Sequence, residues 1–351
     1  MVALRSSWFP RPRAACLGIG AGLHLLLVLR SYETDGSHCK AYDLQPTLSR
    51  DAAHSILGVA YAAYCPLNEI QNWSCYWCAL TDRPLSRVQA FLEPHSQLQY
   101  FIGEVDTGAS GHRAWMLSFR GTVMNAGKRT LYSNMYFSSN RTLTRVATVA
   151  GVDGTPAVHG GWSTQWHLVR PHVLAALSQL RGPSTSARET LVLTGHSSGA
   201  SLTSIAAYDL VTSPELDARD CWDAASIAVV NFGMPPVGNR AFAAAYEAVG
   251  LGARTWRLVH EAEEVPHAFP MFTHVGREIW ERANGTWQRC AAFSGATSSS
   301  NARPTRCDHR GAPNLDMSCS SSVPASVQTH ADHHLYLGLD CMVGEQFGCM
   351  Q

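Results

Sequence analysis

The stretch LVLTGHSSGASLTSIAAYDL, residues 191–210, decides the fold. Its first part is an apolar run that predicts a buried strand over Leu191–His196, and its last part has a pattern typical of a helix over Ser198–Val211. A single turn joins the two. A strand that passes through one tight turn into a helix is the repeating unit of α/β sheets, so the sequence points to that class.

The same alternation of strand and helix extends to both sides of this stretch. Continuous apolar runs are typical of strands covered on both faces. We therefore predict an α/β fold with a mostly parallel central sheet and helices on both faces. An Asn284-Gly285 pair predicts a hairpin within Glu278–Cys290, and the Ser- and Pro-rich segment Ser294–Val327 predicts a long disulfide-pinned loop. Further strands are predicted at Tyr100–Val105, Ala114–Gly121, Ser226–Gly233 and Thr255–His260, and helices at Asp51–Tyr64, Trp162–Leu180 and Gly238–Val249.

The turn itself, Gly195-His196-Ser197-Ser198-Gly199, fits the pattern G-x-S-x-G. Between a strand and a helix this pattern predicts a nucleophile elbow, the turn of α/β-hydrolases that projects a serine hydroxyl above the sheet. Ser197 is the candidate nucleophile, and the backbone N–H of Ser198 faces a developing oxyanion. The competing interpretation, an ordinary Gly-Ser loop before a helix, is disfavoured by the flanking strand and helix patterns.

A nucleophilic serine needs a base, and the base needs a carboxylate that orients it. In α/β-hydrolases the acid and then the base follow the serine along the chain. Spacing alone does not choose among the downstream candidates. The candidate acids are Glu261, Glu263 and Glu264, and the candidate bases are His330, His333 and His334.

Several blocks, which follow one another in the family's order, make the chain resemble the fungal-type class 3 lipases, a family of the α/β-hydrolase superfamily. The elbow resembles the family's GHSLGAA, and the matches span residues 50–350. The blocks are SFRGT (Ser118–Thr122), VHGGW (Val158–Trp162), GHSSGAS (Gly195–Ser201), NFGMPPVGNRAFA (Asn231–Ala243), RLVHEAEEVPHAFP (Arg257–Pro270), HVGREIW (His274–Trp280) and DHHLYLG (Asp332–Gly338).

The resemblance implies a carboxylic ester hydrolase with Ser197 as nucleophile, Glu263 as acid and His333 as base. The backbone N–H groups of Thr122 and Ser198 would hold the oxyanion. The implied substrate is a lipid ester, as in triacylglycerol lipases, and the resemblance allows that ester to be met at a lipid–water interface. Phospholipids, galactolipids and feruloyl sugar esters are alternative substrates on the same fold. The resemblance implies no cofactor and no metal.

Two positions depart from the family pattern. Glu263 stands where the family has an Asp before the Val-Pro pair, and a well-placed carboxylate of either type can orient a histidine. In the segment after Thr122, Leu131 and Asn134 stand nearest to the family's lid Trp and Asp. The sequence therefore leaves lid behaviour and interfacial activation open.

The N-terminus predicts export. Arg5, Arg11 and Arg13 precede an apolar run over Ala14–Leu29, which fits a signal peptide at residues 1–31 or a signal anchor. Residues 32–351 then form one domain, secreted or in the lumen of the secretory pathway, with no transmembrane span once a signal peptide is removed. The 27 basic and 27 acidic residues balance and form no long basic run, which argues against nucleic-acid binding.

Cysteine usage supports export. Of the 11 cysteines, Cys16 lies in the apolar run, and an even number remains, which predicts disulfides. Asn72, Asn140 and Asn284 lie in glycosylation sequons. The remaining cysteines are Cys39, Cys65, Cys75, Cys78, Cys221, Cys290, Cys307, Cys319, Cys341 and Cys349.

Other interpretations compete with these. Asp332 and its neighbouring histidines are a possible metal cluster, although ligands this crowded rarely face one ion. Cys75-x-x-Cys78 is a possible redox or zinc motif, for which a structural disulfide is the favoured alternative in an exported chain. The aromatic residues Trp73, Tyr76 and Trp77 suit substrate binding or packing, and packing is the more frequent role of such residues. A catalytically silent, ligand-binding hydrolase fold is the alternative function of another class.

Overall fold

An eight-stranded sheet organises the chain, in the order β1-β2-β3-β6-β7-β8-β9-β10. The computed structural model describes residues 48–107, 112–123, 142–181, 188–213, 216, 222–290 and 318–349. Strands β3, β6, β7, β8 and β9 are mutually parallel, whereas β1, β2 and β10 pair antiparallel at the two edges. The strands are β1 (Leu85–Leu92), β2 (Gln99–Val105), β3 (His112–Phe119), β6 (Arg188–His196), β7 (Ile227–Phe232), β8 (Thr255–His260), β9 (Arg277–Glu281) and β10 (Trp287–Arg289).

Two short ribbons lie outside the main sheet. One pairs β4 (Leu143–Arg145) with β5 (Ala157–His159), and the other pairs β11 (Leu335–Tyr336) with β12 (Leu339–Asp340). The α-helices are α1 (Arg50–Ala62), α2 (Leu67–Gln71), α3 (Gly160–Arg181), α4 (Ser198–Thr212) and α5 (Arg240–Ala248).

Each face of the sheet packs against its own helices. Along β6, Val192 packs into a core with α1, whereas its neighbours Leu191 and Leu193 pack into a second core with α3, α4 and α5. This alternation follows from the two-residue repeat of a strand. Polar caps define helix starts: the Ser49 hydroxyl accepts from Ala52 N–H at 3.1 Å, and Asn239 Oδ1 accepts from Phe242 N–H at 2.8 Å.

The predicted fold class is confirmed, and every predicted strand and helix is found with small shifts at its ends. The hairpin is also found, with Asn284 and Gly285 in its turn between β9 and β10. Strand β1 was not predicted. Most of the predicted loop Ser294–Val327, and the N-terminal export segment, lie outside the described residues.

Three disulfides join described cysteines: Cys65–Cys349, Cys75–Cys78 and Cys290–Cys319. The favoured prediction for Cys75-x-x-Cys78 is therefore confirmed. The expectation that every remaining cysteine is paired is wrong for Cys341, which is a buried free thiol packed against the α1 side of the core. Cys39, Cys221 and Cys307 lie outside the described residues. Within the described part, no helix combines the length and apolar character needed to cross a bilayer.

Candidate active site

Ser197 lies at the sharp turn between β6 and α4, with φ 60° and ψ −132°. A non-glycine residue in this region of positive φ is strained, and such strain is found mainly at functional sites. The turn is held by the Ser197 N–H, which donates to the carbonyl oxygen of Phe232 on β7 at 2.9 Å. A Cβ at Gly195 would lie 2.6 Å from the carbonyl carbon of Gly199, so only glycine lets strand and helix approach this closely.

Thr122 follows the C-terminal end of β3 and lies beside the elbow. Its hydroxyl is 3.1 Å from the hydroxyl of Ser198, the first residue of α4. A Cβ at Gly121 would lie 2.6 Å from the carbonyl oxygen of His196, which shows how closely the β3 end approaches the turn. The N–H groups of a first helical turn have no partner within the helix, and the helix dipole favours negative charge there. The two predicted oxyanion residues are thus brought together.

His333 and Glu263 form a buried pair. The ring Nδ1 of His333 is in hydrogen-bond contact with Glu263 Oε1, and their side chains are 4% and 0% exposed. The second carboxylate oxygen of Glu263 accepts from the His260 N–H at 3.3 Å. In the sequence only the family resemblance predicts this contact, because 70 residues separate the two side chains.

Burial shifts the titration of both groups. It raises the pKa of Glu263 to about 8. It also lowers the pKa of His333 well below its ordinary value, and the charges of His330 and His334 add to this. Both directions follow from the cost of placing charge in a low-dielectric interior. Because the two groups are in hydrogen-bond contact, we expect the protonation of one to affect the other.

The other candidate acids and bases lie elsewhere. Glu264 and His330 are about half exposed and contact each other at 2.9 Å. Glu261 lies in a turn with φ 39°, and its backbone carbonyl accepts from Trp280 Nε1 at 2.8 Å. His334 is partly buried, and its backbone carbonyl accepts from the Tyr61 hydroxyl. Geometry thus selects Glu263 and His333 as the pair in contact.

Two loops that carry this pair are joined by backbone and side-chain hydrogen bonds. Thr329 N–H donates to the Ala262 carbonyl at 2.8 Å, and Glu264 N–H donates to the Thr329 carbonyl at 3.2 Å. The carboxylate of Asp332 accepts from Ala262 N–H at 3.2 Å and from the Thr329 hydroxyl at 3.0 Å. Asp332, considered above as a metal ligand, therefore binds backbone and side-chain donors of the two loops.

His196, inside the elbow motif, links the elbow turn to the backbone of His333. Its Nε2 is 2.8 Å from the carbonyl oxygen of His333, which can only accept, so Nε2 carries the proton. Nδ1 then accepts from the Tyr64 hydroxyl at 2.9 Å. Burial lowers the pKa of His196 well below its ordinary value, which favours this neutral ring. Sequence reasoning missed both residues: His196 was visible in the motif, whereas Tyr64 carried no signal.

Gly233, at the end of β7, provides the space for the buried pair. Its φ is +60°, and a Cβ there would meet the Glu263 carboxylate and the Tyr336 hydroxyl and lie 2.7 Å from His333 Cε1. The longer arm of glutamate therefore occupies volume that any side chain at position 233 would take.

One group of side chains has the spacing of metal ligands among the described residues. Among the described residues, Glu278, Cys290 and Cys319 lie close enough to share an ion, but the two sulfurs form a disulfide with each other and are not thiolate ligands. In the aromatic cluster, Trp77 is buried against Tyr61 with ring centroids 5.0 Å apart, which is packing. Leu131, Asn134 and Asn140 lie outside the described residues.

Comparison with known proteins agrees with this geometry. The family model described as "Lipase (class 3)" matches residues 116–273. Lipase II from Rhizopus niveus shares the fold with a TM-score of 0.60 and 22% identity, over 83% of this chain and 95% of that one. The triacylglyceride lipase of Rhizomucor miehei matches with a TM-score of 0.60 and 21% identity, over 83% of this chain and 95% of that one. A triacylglycerol lipase from Penicillium expansum matches with a TM-score of 0.51 and 16% identity, over 85% of this chain and 94% of that one.

Proposed function

We propose that this carboxylic ester hydrolase, whose residues 116–273 match the class 3 lipase model, cleaves lipid esters through a Ser197–His333–Glu263 triad and an acyl-enzyme. The observation that carries the proposal is the buried contact of His333 Nδ1 with Glu263 beside a strained serine elbow. Because the matched solved structures are triacylglycerol and triacylglyceride lipases, acylglycerols are the first substrates to test.

The proposed reaction begins with proton transfer. Glu263 holds the Nδ1–H of His333, which leaves Nε2 free to accept the proton of the Ser197 hydroxyl. The Ser197 oxygen attacks the ester carbonyl, and the backbone N–H groups of Thr122 and Ser198 stabilise the resulting oxyanion. The nearby Thr122 hydroxyl supplies a further donor.

The tetrahedral intermediate then collapses. His333 gives its proton to the leaving alcohol, and the acyl group remains on Ser197 as an ester. A water molecule, deprotonated by His333, attacks this ester, and the second intermediate collapses to the free acid as His333 returns the proton to the Ser197 oxygen. In the active form, in which the Glu263–His333 dyad is deprotonated, Glu263 stays ionised through the cycle and stabilises the imidazolium that forms at each stage.

The test compares the parent with Ser197→Ala on acyl esters of graded chain length, both soluble and emulsified. We expect the parent to cleave long-chain emulsions and the variant to lose at least about a thousandfold in kcat. Labelling by a fluorophosphonate, which reacts with an activated serine, should occur in the parent alone. A parent that is inert towards these esters, phospholipid esters and feruloyl esters, and that resists labelling, supports the catalytically silent binding protein instead.

Export is proposed with the function. The disulfides Cys65–Cys349, Cys75–Cys78 and Cys290–Cys319 fit an oxidising compartment. Asn72 and Asn284 are both exposed, as glycosylation requires. Mass analysis of the chain recovered from a eukaryotic culture medium, before and after deglycosylation, tests cleavage near residue 31 and sugar at these sites.

A further inference from the structure

An exposed pair of side chains borders the base. Glu264 follows the buried acid directly, and His330 lies one turn before His333. His330 Nδ1 is 2.9 Å from Glu264 Oε1, and the two side chains are 53% and 49% exposed. The His330 ring centroid lies 5.4 Å from that of His333 and 4.9 Å from that of His334.

Stability does not account for this pair. Ion pairs between exposed side chains contribute on the order of 0–1 kcal/mol, because water and salt screen them. A substrate with apolar groups on both sides of its ester would favour a hydrophobic surface next to the base. Apolar side chains at positions 264 and 330 would provide that surface. The chain instead has two polar, ionisable groups there.

The position of the pair assigns it to one half of the substrate. In the proposed mechanism the base donates its proton to the oxygen of the leaving alcohol, so the alcohol half must contact His333. Groups around the solvent side of His333 therefore border the alcohol half. The rings of His330 and His334 lie 5.4 and 6.0 Å from the ring of His333, and the half-exposed Glu264 contacts His330, so we assign these groups to that border.

The hydrogen-bonding chemistry of the pair selects the kind of alcohol. A carboxylate only accepts, so Nδ1 of His330 donates to Glu264. In the neutral ring Nε2 is then an acceptor, and the second oxygen of Glu264 is another. Two acceptors suit a ligand that offers O–H donors. They do not suit a phosphate, which has only acceptor oxygens and a negative charge that Glu264 repels.

We propose that Glu264 and His330 form a subsite for free hydroxyl groups on the alcohol half of the ester. The preferred substrates are then partial esters of neutral polyols, such as monoacylglycerols or monoacyl sugars, over triacylglycerols and lysophospholipids. The inference rests on the proposed function, because it uses His333 as the base that protonates the alcohol.

The experiment uses two esters that differ only in hydroxyl donors. One is 1-monodecanoylglycerol, and the other carries methyl ethers in place of its two free hydroxyls, both in the same detergent micelles. We expect the parent to show a kcat/KM about tenfold higher on the free-hydroxyl ester, mainly through KM, since one lost hydrogen bond to a charged group has about that effect. A decanoyl sugar ester in the same micelles shows whether glycerol or sugar is preferred.

A double variant, Glu264→Leu with His330→Leu, should bring the ratio of the two kcat/KM values close to one. Glu264→Gln alone should lower it partly. Arg87→Leu removes half of another exposed ion pair, far from the site, and should keep the parental ratio. Fluorophosphonate titration counts the active sites in each preparation, so that misfolded protein does not enter the ratio.

The outcomes separate the two proposals. Equal kcat/KM on the two esters in the parent, or a ratio that the double variant leaves unchanged, overturns the hydroxyl subsite alone. A higher rate on the methylated ester or on lysophospholipid also overturns it. A parent that cleaves neither ester and resists the fluorophosphonate overturns the serine hydrolase proposal, and the subsite with it.

Discussion

Shortening the acid by one methylene, in Glu263→Asp, tests the proposed triad directly. The family pattern has Asp at this place, so sequence comparison alone predicts a mild change. The structure predicts otherwise, because the carboxylate would retreat from His333 by about 1.5 Å, the length of one C–C bond. That distance removes the hydrogen bond to Nδ1, since such bonds weaken steeply beyond about 3.2 Å. Gly233 adds no side chain that could fill the space left behind.

The magnitude follows from the lost bond. A hydrogen bond to a charged group contributes about 1.5–3 kcal/mol, and 1.36 kcal/mol corresponds to a tenfold change in rate. We expect Glu263→Asp to lose roughly 10- to 150-fold in kcat/KM, mainly in kcat. Glu263→Gln should lose about 10⁴-fold, because the amide favours the tautomer in which Nε2 is already protonated.

Glu261→Asp and Glu264→Asp serve as matched controls on a soluble short-chain ester whose alcohol half has no free hydroxyl, so that the proposed Glu264–His330 subsite does not contribute. Steady-state kinetics with titrated active sites provides the measurement. Both controls should retain activity within a few fold, since neither carboxylate contacts His333 in the described structure. Parental activity in Glu263→Asp would refute the reasoning from carboxylate position. A larger loss in either control would move the acid to that residue.

Three further outcomes are expected. The active dyad is deprotonated, so kcat/KM should rise with pH through an apparent pKa near the value of about 8 for Glu263, and an acid limb near 6.5 would contradict this. Gly233→Ala should lose more than about a hundredfold in kcat, which steady-state kinetics measures. The control is Gly151→Ala, also at positive φ but with open space around it. It should cost only about 1 kcal/mol of unfolding free energy, which chemical denaturation measures. Tyr64→Phe leaves the buried Nδ1 of His196 without a donor and should lower the unfolding free energy by about 1–3 kcal/mol, and an unchanged value would contradict the assigned tautomer.

Local sequence was sufficient where local geometry determines the outcome. The elbow is a strand, one turn and a helix in consecutive residues, and glycine at 195 is required by contacts within that unit. Strand β1 escaped prediction because its register shifts between Ser86 and Gln89, and Arg87 has a positive φ. The two-residue alternation that marks a strand is thereby interrupted.

The choice among neighbouring glutamates and histidines was beyond local sequence. Glu261, Glu263 and Glu264 lie within one turn, where a positive φ at Glu261 sets the direction of each side chain. No periodic pattern describes such a turn. The contact of Glu263 with His333 depends on a loop 70 residues away, so only the family resemblance pointed to it.

The position of the base depends on backbone contacts as much as on its own side chain. The carbonyl oxygen of His333 is held by His196, which adjoins the nucleophile, and the start of its loop is held by Ala262, which adjoins the acid. The three proposed catalytic residues are therefore linked through their immediate neighbours as well as through their reacting atoms. Such linkage limits the movement of His333 relative to Ser197 and Glu263, which is the preorganisation that proton transfer requires.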